Sequence, residues 1–136
     1  MMLLKISIVI NAEITFIAQK NKITNRNPFI ITKLILGMIS IKIHKTYRDV
    51  IAICDAELLG KNFEEGNFQL NLKESFYKGE NIDEKKAIQI IQNQSREDAT
   101  FNIVGEKSIS CALKAGITNK QGIKKIQGIP YSLVLM

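Results

Sequence analysis

The side chains that could do chemistry are few and scattered. Cys54 stands next to Asp55, His44 is the only histidine, and Cys111 is the second and last cysteine. A nucleophilic thiol needs a base or a cation beside it to form thiolate. An adjacent carboxylate does the opposite. The sequence therefore favours a buried Cys54 that closes a strand and an Asp55 that caps the next turn. The alternative is a small enzyme or ligand-binding protein whose pocket gathers Cys54, Asp55, Lys61 and Glu106. Cys111, between core positions of a helix, reads as packing. His44 lies on the polar face of a strand without a partner to orient its ring, and is expected at the surface.

Anion-binding patterns are equally thin. Gly60-Lys61 lacks the upstream glycine and the following Ser or Thr of a phosphate loop. Val104-Gly105-Glu106-Lys107 has the form strand, glycine, helix start, where an anion can sit on free amides. Glu106 would occupy that position itself, so a self-capped helix with a solvated Lys107 is expected. The most suggestive group is a run of lysines, Lys114, Lys120, Lys124 and Lys125, close in sequence to Tyr131. Lysines beside an aromatic suit an RNA backbone and a base; a solvated lysine face is the plainer alternative. Lys61, Lys107, Lys120, Lys124, Lys125 and Tyr131 are thus the candidate binding residues. With two cysteines and one histidine there is no metal-ligand spacing, and no metal or cofactor is expected. Two free thiols in a chain of 136 residues suit a reducing cytoplasm.

The elements that must position these groups are legible from periodicity. Ile39, Ile41 and Ile43 alternate with Ser40, Lys42 and His44, which predicts a strand with one buried face. Val50 to Cys54 is apolar throughout and predicts a central strand buried on both faces. Lys45 to Asp49 turns between them. A helical turn is predicted after Asp55, ending at Gly60. Glu64-Glu65-Gly66 reads as a solvated loop, and Phe68, Leu70 and Leu72 as a third strand. Glu74 to Glu80 reads as a turn pinned by Phe76 and Tyr77. A helix is predicted over Asn81–Gln92, capped by Asn81 or Asp83 with Glu84 as a capping box. Thr100–Val104 is strand-like. Glu106–Ala115 is a second helix stopped by Gly116, and two last strands, Ile123–Gln127 and Tyr131–Leu135, meet at Gly128-Ile129-Pro130. The fold class is α+β: a mixed sheet begun by an N-terminal β-hairpin and covered by two helices.

Charge divides the chain unevenly. Residues 1–37 hold five basic residues and one acid, +4; residues 38–136 hold fourteen and twelve, +2. The body alone is therefore not a strong electrostatic binder of nucleic acid. Met1 to Ala18 is apolar, but Lys5, Asn11 and Glu13 interrupt it, against both a spanning helix and a signal peptide. We expect no membrane partner. We expect Met38 to be the true start and 1–37 to be an over-extended reading of the gene or a poorly ordered leader; the alternative is a genuine extra strand pair or anchor. Residues 38–136 form the single domain.

Four stretches in order, CDAELLGKNFEEG (54–66), FYKGE (76–80), FNIVGEKSISCALKAG (101–116) and GIPYSLV (128–134), resemble an archaeal family of unknown function, DUF424. The resemblance covers Met38 to Val134. It implies a small cytoplasmic α+β protein, and no activity, cofactor or catalytic residue. The family pattern carries a histidine after the proline of the last stretch. Tyr131 stands there, which removes any proton-transfer role from that position. The reading that results is a non-catalytic RNA- or ribosome-associated protein linked to translation. A protein-interaction module, including a homodimer through an exposed strand edge, is a third option.

Overall fold

The computed structural model describes residues 37–136; the expectations for the leader and the start site lie outside these residues. Within them, β1 (Ile39–His44) and β2 (Val50–Asp55) form the expected antiparallel hairpin, with Ile41 opposite Ile53. A 3₁₀ turn (Ala56–Leu58) follows, then a separate two-stranded ribbon, β3 (Asn62–Glu65) and β4 (Phe68–Asn71). A short helix α1 (Glu74–Tyr77) leads into β5 (Glu80–Ile82). Helix α2 (Glu84–Ser95) completes the crossover into β6 (Thr100–Val104), and helix α3 (Glu106–Ala115) follows it. A second 3₁₀ turn (Lys120–Gly122) precedes the closing hairpin of β7 (Lys124–Ile126) and β8 (Ile129–Leu135). The main sheet has the order β5-β1-β2-β6-β8-β7. Only the β2–β6 pair is parallel. The α+β class and the mixed sheet match the sequence expectation.

β2 explains the layering. Its successive side chains point to opposite faces. Ile51 and Ile53 join Ile39, Ile41, Phe101, Ile103, Ile91 and Ile109 under α2 and α3. Ala52 and Cys54 join Leu58, Leu72, Tyr77 and Val104 on the other face, with Phe63 and Leu70 of the ribbon packed against them. The five-residue apolar run is thus the strand with a core on each side.

The differences from the sequence reading are local. Asn62–Glu65 is a strand, although two adjacent glutamates suggested a loop. Their side chains are exposed and the backbone is satisfied by β4. The segment read as one turn is a helix plus an edge strand: Ser40 Oγ donates to the Tyr77 carbonyl and accepts from Gly79 N–H, both at 2.9 Å, which ties it to β1. The cap of α2 is Asp83 alone, whose Oδ1 accepts from Lys86 N–H at 2.8 Å; Asn81 belongs to β5. The last turn carries positive φ at Gln127 (50°) and Gly128 (78°), as a two-residue hairpin requires.

At Gly79 the chain passes so close to β1 that an added Cβ would lie 2.1 Å from the Ile41 carbonyl oxygen. Gly79→Ala is therefore expected to cost at least about 1–3 kcal/mol, the range for overpacking, read by urea denaturation. A variant as stable as the wild type would show that this approach is not tight.

Candidate functional site

The connections out of the parallel pair leave in opposite directions. After β2 the chain turns to the ribbon face, where Leu58 is buried. After β6 it turns to the helix face as α3. A crevice forms where such connections diverge, at the carboxyl ends of the strands. Here it has a volume of about 140 Å³ and is lined by Asp55, Glu57, Leu58, Gly105, Glu106, Lys107, Ile129 and Pro130.

Asp55 forms its floor and is only 2% exposed. One carboxyl oxygen accepts from the Ser108 N–H at 2.8 Å and the Ser108 hydroxyl at 2.7 Å; the other accepts from the Lys107 N–H at 3.2 Å. These are the amides that a helix leaves unpaired in its first turn. The expected cap therefore comes from another strand, and two expectations are corrected. Asp55 makes no side-chain bond to its own 3₁₀ turn, and α3 is not capped by Glu106. The residue at the ordinary cap position is Gly105, which has no side chain to offer. It has φ 107°, and a Cβ on it would lie 2.4 Å from the Asp55 carboxyl carbon. Glycine is required there twice over, by conformation and by space. Buried beside strand and helix, the Asp55 carboxyl holds the place an external anion would need.

Cys54 diverges from Asp55. It is fully buried in the ribbon-face cluster, and its Sγ–H donates to the Asp55 carbonyl at 3.1 Å. Burial, and then the neighbouring Asp55 and Glu57, push its thiol up to about 12. Cys111 is also buried, with its thiol pushed up to about 11 by burial and by Glu84. Both shifts favour the neutral thiol, and Cys54 belongs to the ribbon-face cluster while Asp55 lines the crevice. Of the alternative pocket, Asp55 and Glu106 share the crevice; Cys54 and Lys61 do not line it. Lys61 is exposed on the way into β3.

His44 is not a free surface residue. Its Nε2–H donates to the Phe76 carbonyl at 2.9 Å, and its ring stacks on Phe76 at 4.6 Å and 19°. Lys114, counted among the basic cluster, is ion-paired with Glu84, and that contact raises its pKa. Lys120, Lys124 and Lys125 are exposed and Tyr131 is half-buried. Lys124 pairs in register with Tyr131 and Lys125 with Pro130, so neighbouring lysines sit on opposite faces of an edge strand. Ser108 and Glu57 escape a reading by motif, and Gly105 is read there only as the start of a helix. The available signal is a helix that opens Gly-Glu-Lys-Ser with no Ser, Thr, Asp or Asn at its own cap, which implies a cap from elsewhere. Among the described residues no three His, Cys, Asp or Glu are grouped to hold a metal ion, and no helix is long and apolar enough to cross a membrane.

Fold and site together define a small α+β protein with a mixed six-stranded sheet and a helix capped from across the parallel pair. The chain belongs to the DUF424 family, described as protein of unknown function, whose family model matches residues 43–136. It is similar to the crystal structure of an uncharacterized conserved protein from Methanopyrus kandleri, at 28% identity, with 72% of this chain and 92% of that chain covered and a TM-score of 0.63. Among curated proteins none matches the chain.

Two outcomes follow. Asp55→Ala leaves two amides and a hydroxyl unpaired, so a loss of about 2–4 kcal/mol is expected in urea unfolding, against less than about 0.5 kcal/mol for Glu57→Gln at the rim. Equal stability of Asp55→Ala and wild type would refute the cap. A thiol whose pKa rises from the ordinary 9.0 to about 12 on folding stabilises the native state fully below pH 9. That contribution is lost as pH rises from 9 toward 12. Alkaline unfolding should therefore be shallower in Cys54→Ala than in wild type, and native Cys54 should resist alkylation at pH 8 until the chain is unfolded.

Proposed function

We propose that this protein is a non-catalytic, cytoplasmic RNA-associated protein that works with the translation apparatus and holds RNA along the outer edge of its sheet. The observation that carries the reading is the charge of the last element. Glu106 is the final acid of the chain, and residues 107–136 hold Lys107, Lys114, Lys120, Lys124 and Lys125 with no Asp or Glu. Lys114 is engaged by Glu84. The β7–β8 hairpin and the turn before it carry the exposed Lys120, Lys124 and Lys125.

Geometry adds a contact for a base. Lys124 and Tyr131 are opposite one another in the β7–β8 register, so an ammonium and an aromatic ring share one face. A lysine that meets phosphate releases a counterion, and the half-buried Tyr131 ring, packed on one side against the ribbon-face cluster, keeps part of its surface for stacking on a base. Because Lys124 and Lys125 straddle the edge, the strand as a whole tracks a phosphate backbone, and neither face does so alone. Lys61 and Lys107 sit on other elements and are secondary contacts in this reading. The rival reading, a small-ligand or enzyme site at the Cys54-Asp55 pair, has the crevice in its favour, but Cys54 does not line that crevice and the Asp55 carboxyl is taken up by Lys107 and Ser108.

The test is co-sedimentation with purified ribosomes, and binding to single-stranded RNA, over a salt series. Binding at low salt with release at high salt is expected. On a single strand each lost lysine contact should flatten the slope of log K against log salt by about 0.7. The Lys124→Gln, Lys125→Gln double variant should therefore flatten it by about 1.4. Absence of the protein from ribosomes and RNA at low salt, or a slope unmoved in the double variant, sinks the proposal.

A further inference from the structure

We propose that β8 is a self-association edge, pairing antiparallel with β8 of a second copy of this chain across a two-fold axis at Val134. β8 runs over Ile129–Leu135, but β7 pairs only with Ile129 to Tyr131. Among the described residues no strand lies against the outer side of the remaining half. The ladder decides which backbone groups point there. Gly105 N–H donates to the Pro130 carbonyl at 2.9 Å, in register with the β6–β8 pairing. Alternation then turns Pro130, Ser132 and Val134 toward β6, and Tyr131, Leu133 and Leu135 outward. Tyr131 faces Lys124 of β7. Leu133 and Leu135 have no strand opposite them among the described residues, and the two residues are 60% and 74% exposed.

Sheet edges are commonly guarded by charge. The outermost strands here follow that rule: β5 carries the exposed Glu80, and β7 carries Lys124 and Lys125. The free half of β8 does not. From Ile129 to Met136 the chain has no charged side chain.

Symmetry and charge select the occupant. Leu133 and Leu135 lie one residue either side of Val134. A second β8 with Val134 on the axis sets Leu133 of each copy opposite Leu135 of the other, so every outward amide and carbonyl of both residues is matched. The apolar side chains meet on one face. The chain carries a formal charge of +6, so two copies repel wherever their lysines approach. The uncharged half-strand lets them meet without that cost, and each β7 with its lysines lies beyond an opposite end of the seam.

The experiment uses the full chain, by sedimentation over a concentration series, with hydrogen exchange at the Leu133 and Leu135 amides. A concentration-dependent dimer is expected, with those two amides protected in the dimer and exposed on dilution. Leu133→Pro removes one outward N–H and leaves the β6 ladder intact. Leu135→Lys sets two like charges diagonally across the seam. Each should raise the dimer dissociation constant at least about tenfold with an unchanged circular dichroism spectrum; if the proline variant fails to fold, the lysine variant carries the test. A monomer at every concentration overturns the proposal, whether the two amides exchange freely or are covered by a strand of the same chain or of a different protein. A dimer equally tight in the folded variants overturns it as well.

Discussion

A single buried carboxyl ties the two halves of this chain together. Asp55 ends β2, and its oxygens take the first-turn amides and a hydroxyl of α3, more than fifty residues later. Those donors would otherwise be unpaired at a largely buried helix start, at a cost comparable to the cap itself. The contact sets where α3 begins, and so which of its side chains turn inward: Ile109, Cys111 and Ala112 enter the core under the sheet. It also demands Gly105, since a side chain there would overlap the carboxyl. The helix N-terminus at the crevice is thereby spoken for by the protein's own acid.

The same economy runs through the other reactive groups. β2 has a core on each face, so Cys54 is sealed in a cluster with Ala52, Leu72 and Val104, and burial pushes its thiol pKa up. His44 spends its ring on Phe76, by stacking and by a hydrogen bond to the carbonyl. Side chains that suggest chemistry in isolation are committed to holding elements in register. What the fold leaves facing outward is of a different kind: a lysine-bearing edge strand and, beside it, an uncharged half-strand with two exposed leucines.

Much of the architecture is legible in the residues. The alternation of Ile39 to His44 and the unbroken run at Val50 to Cys54 mark a one-sided and a two-sided strand, and both hold. Gly105 and Gly116 bracket α3 at its observed ends, because a glycine with positive φ stops a helix wherever the chain goes next. Where the reading slips, the deciding contact is distant. Asn62–Glu65 looks like a loop because its side chains are solvated, yet β4 supplies its backbone partners. Asn81 looks like a cap for α2, but β1 claims it as a strand residue.

The sequence by itself therefore determined the class of fold, the central strand, the bounds of α3 and the depth of Cys54, since each follows from local periodicity or backbone preference. Tertiary structure alone decided what Asp55 caps, which face each lysine of β7 occupies, and how far along β8 the β7 pairing extends. Those outcomes depend on which strands lie side by side, and pairing between segments far apart in the chain leaves no periodic trace in either one.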